Sequence, residues 1–145
     1  MSDIIYYRAE KRDLQILVEL RIDFLVEFWG EQSIQATNEL KNHLAEYYDQ
    51  VLNDNSYICF LARIENTVVG IGGMIIRKQA GNFKNPSGIV GYIMNMFTTP
   101  SFRRKGICAS ILNLLLEEGK ERGIKLFEIH ATKEEEQVYP KQGFK

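Results

Sequence analysis

The stretch YIMNMFTTPSFRRKGICASILNLLLEEGKERG, residues 92–123, decides the fold. It begins with an apolar run of strand length, residues 92–97, and the chain turns at Pro100 because proline cannot donate to a strand ladder. A basic segment follows, and after it apolar residues recur at helical spacing as far as Gly123, a residue typical of the position just past a helix. The stretch therefore predicts a strand, a short basic loop and a long helix.

The basic loop consists of Arg103, Arg104, Lys105 and Gly106, directly before the predicted helix. The first amides of a helix have no intrahelical partner and carry partial positive charge, which suits an anion such as a phosphate. Gly106 lets the backbone approach a ligand with no Cβ in the way. These four residues alone fit a solvated surface loop equally well. Neither the G-x-x-x-x-G-K-S/T loop of nucleoside triphosphatases nor the dinucleotide motif G-x-G-x-x-G occurs in the chain.

The composition is that of one globular domain spanning residues 1–145. The net charge of −1 gives no general attraction to nucleic acid or to a membrane surface, so the basic cluster suits a small anionic ligand better than a polymer. The two cysteines, Cys59 and Cys108, have no metal or redox spacing, so no metal site is expected. The N-terminus does not resemble a signal peptide, and no run of about 18 apolar residues exists to span a membrane. We expect a reducing, cytoplasmic setting.

The rest of the chain predicts a mixed α/β fold with antiparallel hairpins early and a βα unit late. Asp13 is the expected cap of the first helix, and three glycines in the third strand, at 70, 72 and 73, predict a bulge or a close backbone approach. The predicted elements, in chain order, are a strand at 4–9, a helix ending at 29–31, a helix from 37 or 38 to 53, strands at 57–64 and 68–77, a loop at 78–88, the strand and helix described above, a strand at 125–131 and a short helix at 134–142.

Two motifs resemble those of the GNAT superfamily of N-acetyltransferases. The acetyl-CoA loop of that family reads Gln/Arg-x-x-Gly-x-Gly/Ala, and here residues 103–108 read RRKGIC, with Cys108 in place of the usual Gly or Ala. The second motif, Y-x-x-x-G-F, occurs as YPKQGF at residues 139–144. The order and spacing of the two motifs are similar to the family's. The resemblance implies a central, mixed, mostly antiparallel sheet flanked by helices.

The resemblance also implies acetyl-CoA as the cofactor. Its pyrophosphate would meet the loop and the helix start, and its pantetheine arm would run along the strand before the loop. The backbone N–H of Phe97 could point at the thioester oxygen. The implied cofactor-binding residues are Met96, Phe97, Thr98, Arg103, Arg104, Lys105, Gly106, Ile107, Cys108 and Ala109.

Tyr139 stands at the family position of the general acid that protonates the departing thiolate; otherwise it is a packed aromatic residue. The carboxylate that some members carry on the central strand is replaced by Gly91, so the base stays open between Glu27, Glu128 and water. Cys108 lies near a helix start, where thiol pKa values fall, but with no His or Asp nearby it is better read as a small residue replacing Ala.

The end of the first helix has two interpretations. The Phe-Trp-Gly segment is a lid over the core, or, as the resemblance implies, part of the acceptor site with Glu27, Phe28, Trp29 and Glu31 as contacts. The family usually adds one or two strands after Gly-Phe, so a C-terminal strand is expected to be missing. Either the chain is then a fragment of a longer protein, or the uncovered strand edge pairs with a second copy in a homodimer.

The sequence thus predicts an acetyl-CoA-dependent N-acetyltransferase acting on the primary amine of a small molecule or a peptide N-terminus. The alternative, of another class, is a non-catalytic acyl-CoA-binding domain, which Cys108 and the missing base favour and Tyr139 opposes. A nucleic-acid-binding module is disfavoured by the net charge and the single short basic cluster. The acceptor cannot be identified from the sequence.

Overall fold

The computed structural model describes residues 3–129. Five strands and three helices follow one another in the predicted order. Their bounds are β1 Ile4–Arg8, α1 Leu14–Trp29, α2 Ile34–Asn53, β2 Tyr57–Ile64, β3 Thr67–Lys78, β4 Ile89–Thr98, α3 Ile107–Glu121 and β5 Leu126–Ile129.

The five strands form one sheet in the order β1-β2-β3-β4-β5. The first three pairings are antiparallel and the last, between β4 and β5, is parallel. The parallel pair is joined by α3, as a crossover connection requires. The prediction of a mixed, mostly antiparallel sheet flanked by helices is confirmed.

Each face of the sheet carries its own apolar core. The apolar stripe of α3, which includes Ile107, Ile111 and Leu115, packs on one face with Ile93 and Met96 of β4. Leu17 and Leu20 of α1 pack on the other face with Phe97 of β4 and residues of α2 and β2. The sheet is therefore buried on both sides where the helices cover it, and β4 contributes to both cores.

The glycines of β3 let α3 approach the sheet closely, as their positions in the sequence predict. A Cβ on Gly70 would lie 2.7 Å from Cγ2 of Ile107, and one on Gly72 would lie 2.5 Å from Cγ2 of Ile111. Both distances are shorter than normal carbon contacts, so no larger residue fits without displacing α3. The predicted irregularity is also present, because the register shifts between Ala62 and Arg63 opposite β3.

The start of α2 and the cap of α1 differ from the prediction. Helix α2 begins at Ile34, because Oγ of Ser33 accepts a hydrogen bond from the Ala36 amide (3.0 Å) and caps the helix. Asp13 does not cap α1 with its side chain. Its carboxylate instead accepts from the Glu10 amide (2.8 Å) and stabilises a short 3₁₀ turn before α1.

Strand β5 ends at Ile129 within the described residues and lies at one edge of the sheet they form. The predicted helix at 134–142 and the motif at 139–144 lie outside the described residues. No helix among residues 3–129 is long and apolar enough to cross a membrane.

Candidate active site

The described part of β5 lies beside the first half of β4. β5 pairs with β4 from Val90 to Ile93, whereas β4 continues to Thr98. Within residues 3–129, the β4 edge from 94 to 98 has no strand beside it on the β5 side. Unpaired strand edges present backbone N–H and C=O groups to a ligand. The second half of β4 therefore offers a row of hydrogen-bonding groups.

A β-bulge in β4 lies just past the last described pair between β4 and β5. The register with β3 shifts between Ile71 and Gly73, and Asn95 adopts a left-handed conformation (φ 59°). The bulge inserts one residue into β4, so that Ile93 and Met96 both face α3. In a regular strand, residues three positions apart would face opposite sides. No pattern within the sequence of β4 predicts this bulge.

The residues whose backbone is predicted to run alongside the pantetheine arm have buried side chains. Met96 is buried beside α3, and Phe97 is buried under α1 with its ring 5.9 Å from that of Phe24, edge to face. Thr98 is buried as well. Since these side chains face the protein, the backbone is what this part of β4 can offer a ligand, as the resemblance implies.

The loop between β4 and α3 ends in a left-handed glycine at the start of α3. Gly106 has φ 79° and is the N-cap residue, with no side-chain cap. A Cβ on Gly106 would meet nothing within 4 Å, so the glycine is required by its backbone conformation rather than by crowding. Ile107 is buried and fixes the helix against the sheet, while Cys108 and Ala109 are half-buried. The first amides of an α-helix have no intrahelical partner, and no side chain of the N-cap residue caps those of α3.

The three cations of the loop occupy different environments. Arg104 and Lys105 are exposed, and Arg104 has a left-handed backbone (φ 65°). Arg103 instead reaches back to the protein: its Nε donates to the carbonyl of Thr98 (2.8 Å) and an Nη to a carboxylate oxygen of Glu27 (2.7 Å). The two ion-paired side chains are about one third exposed (32% and 37%), so screening by water leaves the pair a modest energy.

The Arg103–Glu27 pair joins residues that the sequence assigned to different sites. Arg103 was expected at the cofactor and Glu27 at the acceptor, and the structure brings the two side chains into contact at the end of β4. Arg103 thereby ties the loop to α1 and β4. Its role in cofactor binding, and that of Glu27 in acceptor binding, remain predictions.

The end of α1 is exposed. Phe28 is 52% and Trp29 78% exposed, and Glu31 lies in the exposed turn that follows. The interpretation of this segment as a lid over the core is therefore wrong. The ring centroids of Phe28 and Phe24 lie 5.0 Å apart, and the Phe24 ring in turn packs against the ring of Phe97. These side chains thus border the surface above β4, and their contact with an acceptor stays a prediction.

Gly91 stands where some family members carry a carboxylate base, and neighbouring side chains occupy the space that a side chain at this position would need. A Cβ on Gly91 would lie 2.7 Å from Sδ of Met74 and 2.9 Å from Cδ1 of Phe127. There is no room for an acidic side chain here. Glu128 is exposed on β5, directly opposite Tyr92 in the parallel register. Tyr139, the predicted general acid, lies outside the described residues.

A half-buried polar network beneath the bulge was not predicted from the sequence. An Nη of Arg21 donates to Oδ1 of Asn95 (2.7 Å), and Nδ2 of Asn95 donates to the hydroxyls of Tyr48 (3.3 Å) and Tyr57 (3.4 Å). Burial raises the pKa of both tyrosines well above the usual value of 10. The sequence contains one indication of this network: the charged Arg21 falls on the same helical face as the apolar residues Leu17, Phe24 and Phe28.

No metal site is evident in the described part of the chain. Among residues 3–129, no three His, Cys, Asp or Glu side chains lie close enough together to hold an ion.

The mixed sheet, the bulge and the glycine-capped α3 agree with a class of protein to which the chain belongs: the acetyltransferase (GNAT) family, whose model matches residues 15–144. The chain is also similar to solved structures. One is a predicted acetyltransferase from Clostridium acetobutylicum, solved with acetyl-CoA, at 29% identity and a TM-score of 0.90, covering 99% of this chain and 90% of that one. A comparison with curated proteins found no significant match.

Two more distant structures share the fold. A GCN5-related N-acetyltransferase from Ralstonia eutropha has 21% identity and a TM-score of 0.86 over 99% of this chain and 93% of that one. The aminoglycoside N-acetyltransferase AAC(6')-Iy, in complex with CoA, has 18% identity and a TM-score of 0.78 over 100% of this chain and 90% of that one. The family match and the similarity to the Clostridium acetobutylicum structure support acetyl transfer in general.

Proposed function

We propose that this chain transfers the acetyl group of acetyl-CoA to a primary amine, on a small molecule or a peptide N-terminus, by direct attack in a ternary complex. The observation that carries the proposal is the left-handed Gly106 at the start of α3, with Arg104 and Lys105 exposed beside it, shortly after the end of β4. A strand-like ligand arm that ends in a phosphate group matches this arrangement of backbone groups and positive charge.

In the proposed complex, the loop and the first turn of α3 hold the pyrophosphate. The amides of residues 104–109 supply hydrogen bonds, and the charges of Arg104 and Lys105 strengthen the field of the helix N-terminus. The pantetheine arm pairs with the backbone of residues 96–98 like an added strand. Cys108 is a small residue in this turn, and its thiol takes no part in the chemistry.

The reaction needs polarisation, one proton removed and one proton supplied. The amine nitrogen attacks the thioester carbonyl carbon, the C–S bond breaks, and the thiolate of CoA takes up a proton as the amide forms. The Phe97 N–H stabilises the negative charge on the carbonyl oxygen. Tyr139 donates the proton to the thiolate. An alkyl ammonium has a pKa of about 10, so a base must act as well, and Glu27, Glu128 and water remain the candidates.

The acceptor enters beside the exposed end of α1, where Glu27, Phe28, Trp29 and Glu31 are its proposed contacts. Two carboxylates and two exposed aromatic rings suit a cationic amine attached to an apolar group. Nucleic acid and membranes are not proposed as partners. A homodimer through the β5 edge and a cytoplasmic location remain predictions from the sequence.

A non-catalytic acyl-CoA-binding domain is the second candidate, and the filled position at Gly91 favours it because no carboxylate can stand there. One pair of measurements separates the two functions. Calorimetry reports whether the wild-type chain binds acetyl-CoA, and release of the CoA thiol is followed with a panel of amines. Binding with acceptor-dependent thiol release supports the enzyme. Binding without release for any amine supports the second candidate, and absence of binding contradicts both.

A further inference from the structure

We propose that Arg21 and Asn95 are positioning residues for acetyl transfer: their hydrogen bond fixes the β4 bulge and thereby aims the Phe97 amide at the thioester. This inference rests on the proposed function. Neither side chain is assigned a contact with substrate or cofactor.

The backbone of Asn95 gives the first reason. Its left-handed conformation (φ 59°) is one that residues other than glycine adopt infrequently, although Asn tolerates it better than most. The bulge that it creates lies two residues before Phe97, just past the last described pair between β4 and β5. Bulges re-aim the groups that follow them and are enriched next to active sites. The direction of the Phe97 amide therefore depends on the conformation at Asn95.

The contacts of the Asn95 side chain give the second reason. Its amide bonds three partners from two helices and a strand: Arg21 of α1, Tyr48 of α2 and Tyr57 of β2. The hydroxyl-bearing rings are 1% and 2% exposed. Such a network, unlike an apolar contact, is satisfied only in one geometry, because each donor must meet its acceptor. It can therefore hold the bulge in a single conformation.

The position of the guanidinium gives the third reason. Arg21 lies among Leu20, Phe24 and Phe97 at a small recess beside Asn95, and its charge lies 5.4 Å from the Phe24 ring. Arg21 is only half-buried, and an apolar side chain of similar length would cover the same apolar surface, so stability alone does not require a guanidinium here. A requirement for exact placement of the β4 backbone accounts for a guanidinium at this site.

The test uses variants that separate the side chain from the backbone. Asn95→Gly keeps the left-handed conformation and removes the amide, because glycine adopts positive φ freely. Arg21→Met removes the guanidinium and retains the length of the side chain. Asn95→Asp retains an acceptor for Arg21 and for both tyrosine hydroxyls, so it should preserve the network. Ile58→Ala is the stability control, since Ile58 is buried in β2 on the α3 face of the sheet.

We expect Asn95→Gly and Arg21→Met each to lower kcat by about tenfold or more, since a small misplacement of a catalytic group costs up to about 100-fold. The affinity for CoA should stay within about threefold, because the phosphate loop is untouched. The preference for acetyl-CoA over CoA should fall, as that ratio reports recognition of the acetyl group. Asn95→Asp should keep both kcat and the ratio of acetyl-CoA to CoA affinities near the wild-type values. The double variant should be no worse than either single one, because both remove the same interaction.

The inference is overturned if Asn95→Gly keeps the wild-type kcat and the wild-type ratio of acetyl-CoA to CoA affinities. It is equally overturned if Ile58→Ala loses as much thermal stability as Asn95→Gly and Arg21→Met and lowers kcat and the affinity ratio as much as they do. If the wild-type chain binds acetyl-CoA but transfers no acetyl group, kcat cannot be measured, and the ratio of acetyl-CoA to CoA affinities alone tests the inference. A wild-type chain that binds neither nucleotide refutes the proposed function itself, and the inference falls with it.

Discussion

At the scale of single residues, the two cysteines show how burial controls reactivity. Cys59 is 1% exposed in β2, and burial raises the pKa of its thiol to about 12, whereas Cys108 is half-buried in the first turn of α3. Only thiolates react with disulfide reagents. We therefore expect one fast-reacting thiol in the folded protein at pH 8, measured with a chromogenic disulfide. Cys108→Ala should abolish that fast phase, and Cys59→Ala should leave it. Two equal fast phases would contradict the burial of Cys59.

A second prediction at this scale concerns Tyr139. Tyr139→Phe keeps the ring and removes only the proton that the proposed mechanism gives to the thiolate. General acids contribute about 10² to 10⁴ in rate, so kcat should fall by about tenfold or more. The affinity for acetyl-CoA should stay within about threefold, because no binding group is lost. Full activity on an acceptor for which chemistry limits the rate would leave Tyr139 as a packing residue.

At the scale of elements, the join between the β4–α3 loop and α3 offers a controlled comparison. Gly106 and Gly123 stand at opposite ends of α3, both have positive φ, and neither has an atom within 4 Å of its missing Cβ. Glu at either position adds the same charge and similar backbone strain. Only Gly106→Glu places the charge at the helix start, where a phosphate would be repelled.

We expect Gly106→Glu to weaken CoA binding by at least about 100-fold in calorimetry, a change of about 2.7 kcal/mol. Gly123→Glu should stay within about threefold of the wild type, because the helix C-terminus lies away from the loop. Circular dichroism checks that both variants are folded. Equal affinity in the two variants would show that the phosphate group does not bind at the start of α3.

At the scale of the whole molecule, the sequence was sufficient for the element order and the βα unit. The run at 92–97, the proline and the helical stripe after Gly106 each depend on local periodicity, which survives folding. The start of α2 was missed because the cap lies at Ser33, before the apolar stripe begins.

The features that could not be predicted arise from contacts between distant residues. The Arg103–Glu27 pair joins positions 76 apart, and the Arg21–Asn95 bond joins positions 74 apart. No local pattern encodes either partner. The bulge at Asn95 was equally hidden, because a single inserted residue changes the face of every following side chain without changing the apolar composition of the strand.

The last prediction concerns the stability of the whole molecule at alkaline pH. Burial raises the pKa values of Cys59, Tyr48 and Tyr57 above those of the exposed groups, and all three lie in the core beneath α1 and α2. Such groups stay protonated in the folded state after they have ionised in the unfolded chain. The stability that they contribute is therefore complete below the unfolded pKa values, about 8.5 for Cys and about 10 for Tyr, and is lost as the pH rises. Each group lowers the free energy of unfolding by up to about 1.4 kcal/mol per pH unit within its window.

Urea unfolding at pH 8, 9.5 and 10.5 measures this effect. We expect the free energy of unfolding to fall slowly from pH 8 to 9.5, where the Cys59 thiol ionises in the unfolded chain but not in the folded protein, and more steeply by pH 10.5, where the phenols of Tyr48 and Tyr57 join it. Cys59→Ala should make the first interval flatter, because it removes the buried thiol, and should leave a decline above pH 10. The same slope in Cys59→Ala as in the wild type between pH 8 and 9.5 would mean that the Cys59 thiol ionises equally well in the folded protein. The closely packed core beneath α1 and α2 would then have to admit a charge, contrary to its burial.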